Sequence, residues 1–262
     1  MNVENTPQKK IAVITGASSG MGKEFAQTLK EYGTFDEVWV IARRLDRLEE
    51  LKIDFPTRPI SLDLSDTASY TVYENMLAEE NPNVALLINA CGFGRFLATM
   101  DVPLATNLNM VDLNCKSVLA MCQLTVPYMQ NGAQILNIAS LSSFQPVPYI
   151  NVYGSTKSFL LHYSRALNRE LKSRGINVMA VCPFWVKTEF FDHAIPDDRE
   201  KVVKKYIAMY TPEQIVSHAW KAAKRRKDMC IYGFKANMQV LLTKLIPHSI
   251  VMDFWLNQQN LK

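Results

Sequence analysis

Short apolar runs alternate with longer amphipathic segments along most of this chain, and that alternation restricts its fold more than any other feature. Each run is rich in Val, Ile and Leu and is apolar on both faces of an extended chain. The runs are KIAVIT (10–15), EVWVIA (37–42), PISLDL (59–64), VALLIN (84–89), AQILNIA (133–139), INVMAVC (176–182) and MCIYG (229–233). Strands of this kind form a parallel sheet covered by helices on both sides, so the pattern predicts an α/β fold.

The segments between the apolar runs have the periodicity of amphipathic helices. Helices are predicted over 20–32, 45–54, 66–80, 103–130, 153–173, 197–209 and 212–226. No linker rich in Pro, Gly or Ser and no repeat divides the 262 residues, so we expect one domain over 1–262. In such a sheet a ligand binds beyond the carboxyl ends of the strands, and the residues that follow each apolar run are therefore the candidates for function.

The composition argues against several classes of partner. A net charge of +4, from 29 basic and 25 acidic residues, is small for a nucleic-acid-binding protein, and the densest basic run, 221–227, is predicted to end a helix. The five cysteines include no C-x-x-C pair, so we expect no metal site and reduced thiols in a cytoplasmic protein. Because no apolar run approaches ~20 residues and the start lacks an apolar core, we expect neither a membrane span nor a secretory signal.

The first apolar run is followed by the glycine-rich sequence TGASSGMG. Glycines there permit a tight turn and a close backbone approach to a phosphate, and the helix that begins at this point presents N–H donors to an anion. An ordinary turn is the alternative, but the position directly after an N-terminal strand favours a dinucleotide phosphate. The residues expected to contact this ligand are Gly16, Ser18, Ser19, Gly20, Met21 and Gly22.

The residues after the next three runs extend the predicted dinucleotide site. Arg43 and Arg44 stand where an NAD-binding fold usually has an acidic residue, and a guanidinium there pairs with a 2′-phosphate, which favours NADP(H). A solvated turn of arginines is the alternative. Asp63 and Leu64 are expected to contact an adenine, although capping of the next helix explains Asp63 equally well. Asn89 is expected at the cofactor site, bonded to neighbouring strand ends.

Candidate catalytic groups follow the fifth and sixth runs. Ser140 is positioned to donate a hydrogen bond to a carbonyl oxygen, with Ser142 and Ser143 as nearby competitors and turn capping as the alternative. Tyr153 and Lys157 lie four residues apart on a predicted helix, so they share one face. The residues expected to line a nicotinamide after the sixth run are Pro183, Val186 and Thr188.

Together these residues resemble the short-chain dehydrogenase/reductase family over about residues 10–190. The matching positions are Thr15, Gly16, Gly20, Gly22, Asp63, Leu64, Asn89, Gly92, Asn114, Ser140, Tyr153, Lys157, Pro183, Val186 and Thr188. The resemblance implies a doubly wound, Rossmann-type parallel sheet of about seven strands in the order 3-2-1-4-5-6-7. It also implies that the chain is a family member of the hydroxysteroid dehydrogenase or carbonyl reductase type. Two positions depart from the family: Ala90 replaces an Asn, and Phe184 replaces a Gly.

The same resemblance implies that Ser140, Tyr153, Lys157 and Asn114 are catalytic and that NADP(H) is the cofactor. Lys157 is expected to lower the pKa of Tyr153 from its usual value near ~10 and to hold the nicotinamide ribose. In reduction NADPH would give a hydride to the carbonyl carbon while Tyr153 gives a proton to its oxygen. Ser140 would orient that oxygen, and Asn114 would link Lys157 to solvent through water.

The expected substrate is a secondary alcohol or ketone on an apolar molecule, such as a hydroxysteroid or a bile acid. The aromatic residues expected near the pocket mouth are Phe93, Phe96, Tyr149, Trp185, Phe190 and Phe191, with simple packing as the alternative. Lid helices are expected over 189–228. The apolar C-terminal extension, 234–262, is expected to cover the pocket, to pack on a second subunit or to lie on a membrane surface.

Two other functions stay open at this point. A 3-oxoacyl-thioester reductase would need a basic patch for the phosphopantetheine of a carrier protein, and 221–227 is the candidate. A non-catalytic NADP(H) sensor would bind a partner through its tail, but it would not need the pair of Tyr153 and Lys157. The long helices also predict a homodimer or homotetramer; the candidate interface residues, which core packing explains equally well, are Met110, Leu113, Met121 and Met129.

Overall fold

A parallel β-sheet lies at the centre of the part of the chain that the structure, a computed structural model, describes: residues 8–194 and 202–261. The strands in this part are β1 (Lys10–Thr15), β2 (Glu37–Ala42), β3 (Thr57–Ser61), β4 (Asn83–Asn89), β5 (Gln134–Ile138), β6 (Asn177–Val181), β7 (Trp185–Val186), β8 (Met209–Tyr210) and β9 (Met229–Cys230). Seven of these described strands form one sheet in the order β3-β2-β1-β4-β5-β6-β9, and all neighbours in it are parallel. The predicted strand order is confirmed, with β9 as the seventh strand.

Helices cover both faces of this sheet, as a doubly wound fold requires. The described helices are α1 (Gly20–Gln27), α2 (Leu45–Glu49), α3 (Ala68–Glu80), α4 (Leu104–Val111), α5 (Ser117–Thr125), α6 (Asn151–Glu170), α7 (Phe190–Ala194), α8 (Pro212–Lys224), α9 (Phe234–Leu245) and α10 (His248–Gln259). The helix predicted over 103–130 contains a π-helical turn, Asp112–Lys116, between α4 and α5. The helix predicted over 45–54 ends early, at Glu49.

The central strand β1 shows why the apolar runs are buried on both sides. Ala12 and Ile14 pack in a cluster with residues of α1 and α8, whereas Ile11 and Val13 pack in a second cluster with residues of α3, α5 and α6. All four side chains are 0% exposed. Successive side chains of a strand point to opposite faces, so a strand between two helical layers is apolar at every position.

The helix predicted over 197–209 is wrong in the residues that the structure describes. Residues 202–208 are not helical, and β8 follows them and pairs with β7. Gln259 of α10 accepts hydrogen bonds from the backbone N–H groups of Lys204 (2.7 Å) and Lys205 (2.9 Å) and donates one to the Lys205 carbonyl (2.9 Å). The C-terminal helix therefore satisfies backbone groups that a local helix would have bonded internally. The rest of that range lies outside the described residues.

The lid expected over 189–228 is corrected in one part. Helix α8, which occupies most of its second half, packs on α1: Trp220 is 1% exposed, and its ring centroid lies 4.9 Å from that of Phe25. No described residue of α8 lines the cavity described below. The apolar side chains of α8 pack in the core, so among the described residues the expected lid is limited to α7 and 202–208.

The apolar residues proposed for a subunit interface have a different role in the structure. Met110, Met121 and Met129 are buried in the molecule, and Leu113 packs against the same core. Core packing therefore explains these residues, and the homodimer or homotetramer remains a prediction. Exposed apolar side chains on α4, α5 and α6 are instead Leu104, Leu108, Val111, Leu119 and Phe159.

Two kinds of feature are absent from the part of the chain that the structure describes. Over 8–194 and 202–261, no helix combines the length and the apolar character needed to cross a membrane. Within the same ranges, no group of three or more His, Cys, Asp or Glu side chains is placed to hold a metal ion. All five cysteines, each of which the structure describes, are unpaired.

Candidate active site

The carboxyl ends of the strands open into a cavity of about 1270 Å³. It brings together most of the residues that the sequence predicted for a functional site. Those that line it are Gly16, Ser18, Ser19, Gly20, Met21, Gly22, Arg43, Arg44, Asp63, Leu64, Ser140, Tyr153, Lys157, Pro183, Val186 and Thr188. Asn89 and Asn114 are outside the described lining, and they are treated separately below.

The glycine turn, residues 15–22, is packed too tightly for larger side chains. Gly16 has φ +69°, and a Cβ there would lie 2.7 Å from the carbonyl carbon of Ala90. A Cβ on Gly22 would overlap the carbonyl oxygen of Gly16. Thr15 fixes the turn to the loop after β4, because its Oγ1 accepts a hydrogen bond from the backbone N–H of Ala90 (3.1 Å). The N-terminal N–H groups of α1, which lack partners within the helix, therefore lie at the cavity.

Two arginines that follow β2 share one carboxylate from a distant part of the chain. Glu189 contacts Arg44 at 3.1 Å and Arg47 at 2.6 Å, each through a different carboxylate oxygen. Arg44 also donates to Ser18 Oγ in the glycine turn (3.2 Å). Arg43 is more exposed, and its guanidinium lies 3.9 Å from Asp63. Sequence reasoning missed Arg47 and Glu189, because only the tertiary fold brings residue 189 next to the second strand.

Asp63 has a local role in the loop after β3. Its Oδ1 accepts hydrogen bonds from the backbone N–H (3.0 Å) and the hydroxyl (2.7 Å) of Ser65. Burial opposes ionisation of the carboxyl, but the Ser65 hydrogen bonds and the charge of Arg43 outweigh burial and lower its pKa. Asp63 does not cap α3; Asp66 accepts from the N–H of Ala68, where that helix begins (3.0 Å).

The candidate catalytic residues converge where β5 ends against α6. The Lys157 ammonium lies 5.6 Å from the centroid of the Tyr153 ring and donates a hydrogen bond to the carbonyl of Ile138 (2.7 Å). Ser143 donates to the Lys157 carbonyl (2.8 Å), which ties the serine turn to the helix. Of the three serines, Ser140 is the one that interacts with Tyr153, because its hydroxyl opposes the rise in the pKa of the phenol. The turn also uses Ser140 as a cap.

The pKa of Tyr153 lies above its usual value in this structure, and a lowering of that pKa by Lys157 remains a prediction. Burial raises the pKa of Tyr153 from 10.0 to about 12, and the hydrogen bond with Ser140 offsets only part of that rise. Burial also lowers the pKa of Lys157 from 10.5 to about 8. Both shifts have one cause: burial away from water favours the uncharged forms of the phenol and the amine. Tyr153 is therefore protonated near neutral pH, which is the form a proton donor needs at the start of the reaction.

Asn114 and Asn89 are both buried polar residues that hold other elements in place. Asn114 lies in the π-helical turn between α4 and α5, accepts from the N–H of Phe93 (3.1 Å) and donates to the Phe93 carbonyl (2.9 Å) and to Thr156 (3.0 Å). It thus fixes the loop after β4 to α6, and the water relay remains a prediction. Asn89 donates to Asn137 on the adjacent strand (2.8 Å), so it joins β4 to β5 rather than lining the cavity.

The outer part of the cavity is apolar. Five of the six aromatic residues expected at its mouth line it, and Tyr149 does not belong to the described lining. The ring of Phe190 packs at 5.3 Å from that of Tyr153. Phe184, which departs from the family pattern, packs with Leu141, Ala236 and Val240 and so anchors α9. The sequence left it open whether the C-terminal extension covers the pocket, packs on a second subunit or lies on a membrane surface. Its apolar residues that line the cavity are Phe234, Met238, Leu242, Ile246, Ile250, Val251, Phe254 and Trp255.

Fold and site together define the class of protein. A Rossmann-type sheet carries a glycine turn at the cavity, and a phenol, an amine and a serine hydroxyl line the same cavity. This arrangement is that of a dehydrogenase, in which a proton donor works beside a hydride carrier at a carbon–oxygen bond. Residues 10–199 match the sequence profile of the short chain dehydrogenase family. The chain belongs to this family and is an oxidoreductase that acts on CH–OH groups.

Several proteins resemble the whole or most of the chain. It is 34% identical over 220 residues to very-long-chain 3-oxoacyl-CoA reductase-B of Danio rerio, which covers 79% of this chain and 66% of that protein. It is 31% identical over 246 residues to the Homo sapiens very-long-chain 3-oxoacyl-CoA reductase, and the aligned region covers 89% of this chain and 75% of that protein. The structure of a short-chain dehydrogenase from Sphingobium yanoikuyae in complex with NADPH superposes with a TM-score of 0.76 at 25% identity, covering 88% of this chain and 91% of the other.

Proposed function

We propose that this chain is an NADP(H)-dependent reductase that converts a long-chain 3-oxoacyl-CoA to the 3-hydroxyacyl-CoA. The names of its relatives favour this reaction over the hydroxysteroid that the sequence resemblance suggested. The observation that carries the proposal is the shape of the cavity, which continues from Tyr153 and Ser140 to the apolar sides of α9 and α10. An acyl chain needs such an apolar path beyond the reacting carbonyl.

Exposed apolar residues on α9 and α10 support an extended acyl chain. Phe234, Leu242, Ile250 and Phe254 line the cavity and still expose much of their side chains to solvent. A site for a small, compact ketone would not need this surface. An alkyl chain lying along the two helices would remove both itself and these side chains from water.

The cations of the cavity suit the phosphates of CoA. Arg95, Lys205 and Lys235 are among the lining residues. The basic run 221–227, which the sequence offered for a carrier protein, does not line the cavity, and its role in binding a carrier protein remains a prediction. The apolar surface and the three cations belong to one cavity, as the two ends of an acyl-CoA require.

The residues of the cavity also fit an NADP(H) dinucleotide. Gly16 and Gly22 let the backbone of the turn pack against itself and the loop after β4, and the turn lies at the N-terminus of α1, where a pyrophosphate is stabilised. Arg44 lies beside Ser18 of that turn (3.2 Å), which suits a 2′-phosphate. Pro183, Val186 and Thr188 line the same cavity as Tyr153, where they would hold the nicotinamide.

In the proposed reaction the bound NADPH would supply a hydride to the 3-oxo carbon. Tyr153 donates its phenolic proton to the carbonyl oxygen, which becomes the hydroxyl of the product. Ser140 holds that oxygen through a hydrogen bond, and the Lys157 ammonium stabilises the negative charge that develops on the phenol oxygen. Asn114 keeps the loop after β4 and helix α6 in register, so that Tyr153 and Lys157 face the cavity.

An assay of NADPH oxidation tests this function. The purified chain is given short-chain and long-chain 3-oxoacyl-CoA, a hydroxysteroid ketone, and NADH in place of NADPH. We expect kcat/KM to rise with acyl length by up to about fourfold per methylene, the equivalent of ~0.8 kcal/mol. Steroid ketones turned over faster than any acyl-CoA would contradict the proposed substrate, and cofactor binding without turnover of any ketone would favour a sensor.

A matched pair of variants tests the apolar path. Leu242→Asp puts a charge in the proposed acyl site, whereas Val72→Asp puts one on α3 outside the cavity lining; each native side chain is 46% exposed. Leu242→Asp should lower kcat/KM for the long-chain substrate and leave the short-chain substrate nearly unchanged. Val72→Asp should leave both unchanged. Equal effects on both chain lengths would refute an acyl path along α9.

A further inference from the structure

The carboxylate of Glu189 occupies the arginines at the proposed 2′-phosphate site. Its Oε2 lies 3.1 Å from Arg44 Nη1, and its Oε1 lies 2.6 Å from Arg47 Nη1. The two arginines hold the pKa of the Glu189 carboxyl below its usual range. The carboxylate therefore stays ionised at neutral pH and reduces the positive charge of the pair from two to one.

Glu189 lies next to the glycine turn. The preceding residue, Thr188, is beside Gly20, where an added Cβ would lie 3.4 Å from its side chain. The Glu189 carboxylate contacts the two arginines through separate oxygens, so it can lose one contact and keep the other. Arg44, in contrast, is positioned by its own side chain, which donates a hydrogen bond to Ser18 and lines the cavity.

We propose that Glu189 competes with the 2′-phosphate of NADP(H) for Arg44 and so sets how strongly the site prefers NADP(H) to NAD(H). This rests on the NADP(H) preference proposed above. A phosphate that approaches Arg44 breaks its contact with Glu189, and the carboxylate keeps its contact with Arg47. NAD(H) has a 2′-hydroxyl and leaves the pair with Arg44 intact. Glu189 therefore weakens the binding of one cofactor and not of the other.

The expected magnitude follows from the exposure of the pair. The side chains of Arg44 and Glu189 are 38% and 42% exposed, and ion pairs of such exposure contribute up to ~1 kcal/mol. Loss of the competing contact should therefore tighten binding of a 2′-phosphate by about two- to fivefold.

Calorimetric titration of the full chain with 2′,5′-ADP and with 5′-AMP tests this directly and needs no catalysis. Glu189→Gln removes the competing charge and keeps the shape of the side chain. Glu80→Gln is the matched control, because Glu80 pairs with Arg58 (2.7 Å) at the end of α3 and is absent from the described cavity lining. Work at physiological salt, where charges are screened over ~8 Å, limits effects of net charge.

E189Q should bind 2′,5′-ADP about two- to fivefold more tightly than the native chain and 5′-AMP with unchanged affinity, while E80Q changes neither. Unchanged or weaker binding of 2′,5′-ADP by E189Q overturns the competition, as does an equal gain in E80Q. The variant Arg44→Ser distinguishes failure of the proposed competition from failure of the NADP(H) preference. It should lose at least about tenfold in affinity for 2′,5′-ADP. If it loses none, the NADP(H) preference fails and the role of Glu189 falls with it.

Discussion

Replacement of Tyr153 by Phe removes the one group to which the proposed reaction assigns proton donation. Burial raises the pKa of the phenol to about 12, so the group is protonated at pH 7. The native site therefore holds an almost fully protonated donor. Phe keeps the ring that packs on Phe96 (6.3 Å) and Phe190 (5.3 Å) and loses only the hydroxyl.

We expect Tyr153→Phe to lower kcat for reduction of a 3-oxoacyl-CoA by about 10²- to 10⁴-fold, the usual contribution of a positioned general acid. The affinity for NADPH, measured by fluorescence titration, should stay within about twofold, because the variant keeps the ring contacts. Tyr163→Phe is the control, since it removes a hydroxyl from the same helix at a residue that does not line the cavity. Retention of more than about a tenth of native kcat in Tyr153→Phe would refute Tyr153 as the proton donor.

Three further predictions follow from single features of the structure. Lys157 has its pKa lowered to about 8, so it loses its charge as pH rises through that value, and kcat/KM for reduction should fall there; a profile flat to pH 10 would argue against a role for the ammonium. Gly22→Ala places a Cβ against the Gly16 carbonyl oxygen and should abolish NADPH binding in calorimetry. Trp220→Ala should cost about 3–5 kcal/mol in urea unfolding, whereas Leu245→Ala, at a site 72% exposed, should stay within about 0.5 kcal/mol.

Local patterns in the sequence were enough to predict the sheet. The alternation of apolar runs and amphipathic segments reflects burial of each strand on both faces, which repeats along the chain and needs no knowledge of distant contacts. The strand order came from the family resemblance, and β9 occupies the predicted seventh position. The helix predicted over 197–209 was wrong for a different reason, because Gln259, more than fifty positions along the chain, bonds the backbone of Lys204 and Lys205.

The site residues were predictable for the same reason as the strands. Parallel strands end at one edge, so Gly16, Arg44, Ser140 and Thr188 meet at one cavity although they follow four different strands. The sequence could not show which of those residues already has a partner. Asn89 follows the same rule of position and yet bonds Asn137 within the sheet.

The sequence by itself determined the order of the elements and the chemical groups at the ends of the strands, because both depend on spacing along the chain. The tertiary structure alone decided the charge state and the partners of those groups. Burial, which is a property of the whole fold, raises the pKa of Tyr153 where a charged neighbour was expected to lower it. The contact between Arg44 and Glu189 joins residues 145 positions apart, and no local pattern records a contact of that kind.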